Sequence, residues 1–123
     1  MYTYKAILDR VVDGDTIDVK IDLGFDVSIK KRVRFAGINA PESRTRDLEE
    51  KARGLAAKDR VKAILAENPS FTLESTEIGK YGRVLGKIHI SILDGVEGLT
   101  QICLNEQLIK EKHAVEYWGG KRK

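Results

Sequence analysis

The opening third of the chain constrains the fold most strongly, because it holds three apolar, alternating segments with very short connections between them. The segments cover residues 2–12, 16–23 and 27–38. An Asp-Gly dipeptide at positions 13–14 is a strong tight-turn signal, and Gly24 marks the next reversal. Strands joined this closely pair only antiparallel, since a parallel pair needs a crossover of about a dozen residues or more. The sequence therefore predicts an antiparallel three-stranded meander.

A long helix is predicted over residues 47–66. Thr45 or Asp47 can accept hydrogen bonds at its N-terminus, and two glutamates suit its first turn. Apolar residues at helical spacing form its predicted buried stripe: Ala57, Val61, Ile64 and Leu65. Gly54 lies inside this pattern at a cost of about 1 kcal/mol relative to alanine. It marks either a close contact between helix and barrel or a break in the helix.

The rest of the chain supplies two more long strands and a second helix. Residues 70–77 and 83–93 are predicted strands, 99–103 is a short strand, and 104–112 is a helix. We therefore predict an α+β, mainly β fold: a five-stranded OB-fold Greek-key barrel with a long helix between strands 3 and 4 and a short C-terminal helix. An open βαβ sheet fits less well, because the first three strands are too close in sequence for parallel pairing.

Length and composition indicate one intracellular domain. The 123 residues suit a single domain over 1–123, and the one cysteine, Cys103, excludes an intramolecular disulfide. The N-terminus lacks a signal-peptide pattern, and no apolar run approaches the roughly 20 residues that span a bilayer. We therefore expect a cytoplasmic protein with no membrane partner. The net charge of +3 is compatible with a polyanionic partner without demanding one.

The turn at residues 13–16 carries the first group of candidate functional residues. An isolated Asp-Gly pair is most often a simple hairpin turn, and the acidic residues here do not have EF-hand spacing. Thr16 begins the next strand, however, so the Asp15 carboxylate is held at a strand end. A rigid oxygen donor of this kind suits a hard cation.

The second group follows a strand and contains an arginine and three oxygen donors: Arg34, Asn39, the Ala40 carbonyl and Glu42. Pro41 restricts Ala40 to an extended conformation, which fixes the direction of the Ala40 carbonyl. The simpler interpretation is a strand followed by a polar loop, with Arg34 in an ordinary ion pair.

The third group, Lys80-Tyr81-Gly82-Arg83, is weak evidence by itself, since a Tyr-Gly turn with flanking charge is commonplace. Together, however, the three groups supply two carboxylates, an amide oxygen and two arginines. Phosphodiester hydrolysis needs an activated water, an oxygen-liganded cation and fixed positive charge where the transition state gathers negative charge. The combination therefore predicts a phosphodiester-cleaving site.

These residues give the chain a family resemblance: it resembles the staphylococcal nuclease (thermonuclease) family. Residues 12–16, 34–42 and 80–83 match the motifs of that family in order and spacing. Residues 104–109 and 113–115 resemble its later helix and the segment that follows. The match covers nearly the whole chain.

The resemblance implies a calcium site and a catalytic trio. Asp15 and Asn39 would ligate the metal through their side chains, and Ala40 through its backbone carbonyl. Glu42 would accept a proton from the attacking water and lie next to the metal ligands. The scissile phosphate would be held by two arginines, Arg34 and Arg83.

The resemblance also implies the substrate. Family members of this type cut DNA and RNA with little sequence preference and leave 3′-phosphate ends. Lys80 and Tyr81 would contact a neighbouring phosphate or sugar. Trp118 is a candidate base-stacking residue, with core packing or a partner contact as the alternatives.

The chain departs from the family pattern at four places. Asn39 replaces an aspartate, so one negative charge is lost, and we predict weaker metal binding and a possible change of preferred cation. The chain given stops soon after residues 117–120, so we expect the last helix of the family to be absent, and Lys112 stands where a helix-ending glycine is usual. Ala40 replaces a common threonine, which matters less because the ligand there is the backbone.

Two other functions stay open at this point. The first is a catalytically weak or inactive adaptor that binds nucleic acid or protein on the same barrel, which the loss of charge at Asn39 favours. The second is a plain OB-fold single-strand binder, which leaves Asp15 and Glu42 unexplained because carboxylates repel phosphate unless a cation lies between them.

Overall fold

The computed structural model describes residues 2–78, 84–94 and 98–117. The elements, in chain order, are β1 Tyr2–Asp13, β2 Thr16–Gly24, β3 Val27–Phe35, β4 Ile38–Asn39, α1 Leu48–Glu67, β5 Ser70–Ile78, β6 Val84–Asp94, β7 Gly98–Cys103, α2 Leu104–Lys110 and β8 Val115–Glu116. Neither helix in this part of the chain is long and apolar enough to cross a membrane.

Five strands close into a barrel. β1, β2 and β3 form the predicted antiparallel meander, β5 pairs with β1, and β6 pairs with β5. The barrel closes through a parallel pairing of β6 with β3, and β7 extends the sheet beyond β6. This confirms the predicted α+β OB-fold, in which the long helix α1 lies in the connection between β3 and β5.

The predicted strand over residues 27–38 is wrong at its end. β3 stops at Phe35, because Gly37 adopts a left-handed conformation with φ 77° and reverses the chain. Ile38 and Asn39 form the separate strand β4, which pairs with β8 near the end of the described chain. This pairing partner lies more than 70 residues away in sequence, so local alternation does not reveal it.

The helix α1 begins and ends within one residue of the prediction. The Asp47 carboxylate accepts hydrogen bonds from the backbone N–H groups of Glu49 and Glu50, which identifies Asp47 as the cap. The helix runs unbroken through Gly54. Its predicted stripe is buried in the core together with that glycine: Gly54, Ala57, Val61, Ile64 and Leu65.

The apolar core fills the barrel and the space beneath α1. Ile17, Val19 and Ile21 of β2 are buried, as the alternation predicts. Leu23 continues the same alternation but is exposed, because β2 extends past the barrel there. The β2–β3 hairpin therefore projects beyond the core.

The second helix is shorter than predicted and ends in a Schellman motif. α2 stops at Lys110, and the N–H groups of Lys112 and His113 donate to the carbonyls of Ile109 and Leu108. Lys112 has φ 64°, the left-handed conformation that favours glycine. A glycine at this position would therefore be less strained than the lysine.

An ion pair joins the two helices. Arg60 of α1 donates from Nε to one carboxylate oxygen of Glu111 at 2.6 Å and from Nη2 to the other at 3.1 Å. Hydrogen bonds from Arg60 and from Gln107 lower the pKa of Glu111 from 4.5 to about 2. Since the folded-state pKa lies below the unfolded value, the pair stabilises the fold above pH 4.5 and loses this effect as the pH falls towards 2.

We predict that Glu111→Gln lowers the free energy of unfolding by about 1 kcal/mol at pH 7, a value reduced for the partial solvent exposure of Arg60. The difference from the parent chain should shrink as the pH falls from 4.5 towards 2. Urea unfolding at several pH values measures both effects. Asp9→Asn, at an exposed carboxylate, is the control, and a pH-independent difference for Glu111→Gln would contradict the prediction.

Candidate active site

The Asp15 carboxylate is the centre of the site. Asp15 is buried in the turn between β1 and β2. The Thr16 hydroxyl donates to its Oδ1 at 3.0 Å, and the Ala40 backbone N–H donates to its Oδ2 at 2.9 Å. Arg34 Nη1 lies 3.3 Å from the same Oδ2. Burial and three polar contacts hold this carboxylate in one position.

Arg34 bridges this carboxylate to the loop after β3. Its Nη1 donates to the Phe35 and Ile38 carbonyls at 3.3 and 3.0 Å. Its Nη2 donates to Asn39 Oδ1 at 3.2 Å. The guanidinium is thus fixed by the loop backbone and by two side chains, Asp15 and Asn39.

The structure therefore brings Asp15 of the first predicted group together with Arg34, Asn39 and Ala40 of the second. Asp15, Arg34, Asn39 and the Ala40 backbone lie within one hydrogen-bonded cluster at the barrel rim. The expected alternative, an ordinary ion pair for Arg34, is also present, but its partner is the predicted metal ligand Asp15.

Backbone hydrogen bonds hold this cluster on the barrel. The Phe35 N–H donates to the Asp15 carbonyl at 2.8 Å, which ties the end of β3 to the β1–β2 turn. The Tyr117 N–H donates to the Gly37 carbonyl at 2.8 Å, beside the β4–β8 pairing. The 36–40 loop is therefore held on both sides.

Asp13 and Ser43 form a second link between the turn and the loop, which the sequence analysis missed. The Ser43 hydroxyl and its backbone N–H both donate to Asp13 Oδ1, the latter at 3.3 Å. Ser43 is buried although it is polar. It directly follows Glu42, so this link fixes the backbone on one side of the predicted general base. A serine after a candidate base is too common to have signalled this role.

Glu42 itself is exposed, and its backbone rests on α1. A Cβ at Gly54 would lie 2.3 Å from the Glu42 carbonyl oxygen and 2.7 Å from the Ser43 nitrogen. A Cβ at Gly14 would likewise lie 2.6 Å from the Ala57 side chain. The helix therefore packs against the loop at Gly54 and against the β1–β2 turn at Gly14, two positions where larger residues do not fit. The close contact predicted as one role of Gly54 is confirmed.

Asn105 was also missed by the sequence analysis. It is buried at the start of α2, and its Oδ1 accepts from the Ile88 N–H at 3.1 Å. Its Nδ2 donates to the Ala36 and Gly86 carbonyls at 2.8 and 3.1 Å. This amide joins β6 to the chain just after β3, next to the parallel pairing that closes the barrel. The reversal after Phe35 thus depends on a side chain about 70 residues further on.

The remaining predicted site residues lie outside the described part of the chain: Lys80, Tyr81, Arg83 and Trp118. The described chain resumes at Val84, which pairs with Val33, the residue before Arg34.

The oxygen atoms of the cluster suit a hard cation, but the cluster carries little negative charge. Asp15, Asn39 and Ala40 offer only oxygen atoms, which calcium and magnesium prefer. Within residues 2–78, 84–94 and 98–117, no group of three or more His, Cys, Asp or Glu side chains converges as a metal site. Asp15 is the one formally charged group among these three donors, and Arg34 contacts both Asp15 and Asn39. A cation there would share its ligands with the guanidinium.

Comparison with known proteins identifies similar sequences. A family model described as staphylococcal nuclease homologue matches residues 32–122. The chain is 34% identical over 115 residues to a micrococcal nuclease of Shigella flexneri, covering 93% of this chain and 59% of that protein. It is 30% identical over 122 residues to endonuclease YhcR of Bacillus subtilis (strain 168), covering 94% of this chain and 9% of that protein. The chain thus spans less than two thirds of either relative.

We predict that Gly54→Ala destabilises the chain by about 3 kcal/mol although alanine favours helix by about 1 kcal/mol, because the new methyl group meets the Glu42 backbone. Thermal or urea unfolding measures this loss. Ala63→Gly, on the exposed side of α1, is the matched control and should cost only the helix propensity, about 1 kcal/mol. A Gly54→Ala variant as stable as the parent would contradict the packing described here.

Proposed function

The chain belongs to the staphylococcal nuclease family, and from that membership we propose that it is a metal-dependent nuclease that hydrolyses phosphodiester bonds of DNA or RNA with little sequence preference. The observation that carries the proposal is the cluster of Asp15, Arg34, Asn39 and Ala40 at the barrel rim. It gathers oxygen donors and a guanidinium in one place, which are the groups that cation binding and phosphate binding require.

Arg34 is suited to hold the scissile phosphate. A guanidinium has five N–H donors, and the contacts of Arg34 involve Nη1 and one hydrogen of Nη2. The Nε–H has no partner among the described residues, and its neighbour on the guanidinium is an Nη2–H. These two donors lie on one edge of the guanidinium, the arrangement that binds two phosphate oxygens at once. The loop contacts hold Arg34 in place before substrate arrives, which favours transition-state stabilisation.

Glu42 is the proposed general base. Its exposed position gives water and a polynucleotide access to the carboxylate, while the Asp13–Ser43 link and Gly54 hold its backbone. The carboxylate would accept a proton from the water that attacks phosphorus, and the bond from phosphorus to the leaving oxygen would break. Arg83 is the proposed second phosphate ligand, with Lys80, Tyr81 and Trp118 as further substrate contacts.

Asp15, Asn39 and the Ala40 carbonyl are the proposed calcium ligands, with Glu42 beside them. A divalent cation bound there supplies positive charge to the phosphate and lowers the pKa of a coordinated water. The chain's own contribution is a buried carboxylate whose orientation is set by Thr16 and Ala40. The neutral side chain at Asn39 favours weak cation binding, which also keeps an inactive nucleic-acid-binding module as the second candidate function.

Glu42→Gln should lower the rate of cleavage by about 10²- to 10⁴-fold, because the amide cannot accept the proton. The assay is cleavage of a fluorescent single-stranded oligonucleotide with calcium, repeated with a chelator. Glu49→Gln, at an exposed carboxylate in the first turn of α1, should leave the rate unchanged. Full activity of Glu42→Gln would mean that Glu42 is not the base or that a contaminant cleaves the substrate.

Asn39→Asp should tighten calcium binding by about tenfold, because it adds a negative charge to a site with few charged ligands. Isothermal titration calorimetry measures the dissociation constant directly, without any requirement for turnover. Gln101→Glu, which adds the same charge on exposed β7, is the control and should have no effect. An equal gain in both variants would show a general charge effect and contradict the ligand assignment.

A further inference from the structure

The outer face of the β1–β2–β3 sheet carries cationic side chains in register, away from the cluster at the rim. Lys20 of β2 pairs with Lys30 of β3, and Lys20 also pairs with Ile7 of β1. Like charges directly opposite each other on a sheet are destabilising. Neither lysine has a carboxylate partner among the described residues, and the same holds for Lys5.

The next position along this face is also cationic. Arg10 and Arg32 both approach Asp18, at 3.6 and 2.8 Å. The hydrogen bond from Arg32 is the main reason why the pKa of Asp18 is lowered. Two guanidinium groups thus share one carboxylate, which leaves this position with a net positive charge.

A hollow of about 500 Å³ opens on the same face beside the projecting hairpin. Apolar side chains, lysines and hydroxyls line it: Ile7, Phe25, Lys5, Lys20, Ser28 and Ser70. Two acidic residues also lie at its edge: Asp22 of β2, which pairs with Lys5 of β1 and accepts a hydrogen bond from the Gly24 N–H at 2.8 Å, and Asp26 of the hairpin turn. The hollow therefore combines an apolar surface with cationic and hydroxyl groups, which suits a nucleotide better than a purely apolar ligand.

Phe25 is unfavourable for the stability of the fold in this position. It is fully exposed, and it has φ 53° in a two-residue hairpin turn where Asp26 has φ 63°. Turns with two positive φ values favour Asn or Gly, and an ordinary L-residue pays about 1 kcal/mol or more there. The aromatic ring contributes no packing that would offset this strain. A role in binding explains why an aromatic residue stands at the rim of the hollow.

We propose that this face is a second binding site for single-stranded polynucleotide, with Phe25 stacking on a base and Lys5, Lys20 and Lys30 contacting phosphates. The proposal rests on the proposed nuclease function, since it makes the bound strand the same molecule that is cut at the rim. Aromatic stacking combined with cationic side chains is the usual way to bind single strands without sequence readout.

The position of the face predicts a dependence on strand length. β2 runs from Thr16, at the rim cluster, to Gly24, at the hairpin, a path of roughly 27 Å at 3.4 Å per residue. At about 3.4 Å per stacked nucleotide, roughly eight nucleotides span this distance. A strand of about 20 nucleotides can therefore occupy both sites, whereas one of about four nucleotides reaches only one of them.

The first test uses Phe25→Asn, because asparagine relieves the backbone strain while removing the ring. In a Glu42→Gln background with chelator, fluorescence anisotropy measures binding of labelled oligothymidylate and oligouridylate of about 20 nucleotides. We expect Phe25→Asn to weaken binding of one or both strands by about tenfold while raising the melting temperature, and Phe25→Trp to retain binding. If Phe25→Asn weakens binding of only one of the two strands, that strand identifies DNA or RNA as the ligand.

The second test removes charge. Lys20→Ala combined with Lys30→Ala should reduce the slope of log affinity against log salt by about 1.4, at about 0.7 per phosphate contact of a single strand. Lys62→Ala, at an exposed lysine of α1, is the control and should leave the slope unchanged. Cleavage of a four-nucleotide substrate by otherwise unaltered chains should not change in any of these variants.

Two results would overturn the proposal: unchanged affinity in Phe25→Asn and in the double lysine variant, or no binding of either long strand by the parent. Failure of the nuclease function gives a different result. In that case the parent chain cleaves neither long nor short strands with calcium, while the binding losses at Phe25 and the lysines are still measured.

Discussion

The contact between the buried Asp15 carboxylate and the Arg34 guanidinium holds the candidate site together. Asp15 belongs to the β1–β2 turn, Arg34 to β3, and the Ala40 N–H that also binds Asp15 belongs to the following loop. One carboxylate thus joins the β1–β2 turn to the end of β3 and to the loop that follows β3. Removing one partner of a buried ion pair leaves an uncompensated charge and destabilises a fold by about 3–5 kcal/mol. The same groups that would bind a cation and a phosphate therefore also hold the barrel rim in its shape.

Small side chains make this arrangement possible. Gly54 lets α1 approach the backbone at Glu42, and Ala57 approaches Gly14 in the acidic turn. Asn105 supplies the hydrogen bonds needed where the chain leaves β3 and reverses. The geometry of the rim thus depends on residues that take no part in the proposed reaction.

The opposite end of the barrel differs, since the β2–β3 hairpin projects beyond the core and exposes Phe25 and several cationic side chains.

Much of the fold is predictable because its signals are local. Alternation and tight turns predict the meander, and helical spacing and a capping residue predict the buried stripe of α1 and its start at Asp47. The meeting of Asp15 with the Arg34–Ala40 segment also followed from residue types in the right order. The break after Phe35 did not, because β4 is defined by pairing with β8 and by Asn105, both distant in sequence. The Asp13–Ser43 link and the exposure of Leu23 likewise arise from tertiary geometry that no short segment encodes.

A crystal structure of the chain grown with calcium would show whether the rim cluster is a cation site. We expect one ion bound by the Asp15 carboxylate, Asn39 Oδ1 and the Ala40 carbonyl at about 2.3–2.6 Å, with Arg34 beside it. Calcium bound elsewhere at saturating concentration, with no ion at the Asp15 carboxylate, would contradict this expectation. The rim would then be a structural ion-pair network rather than a catalytic centre.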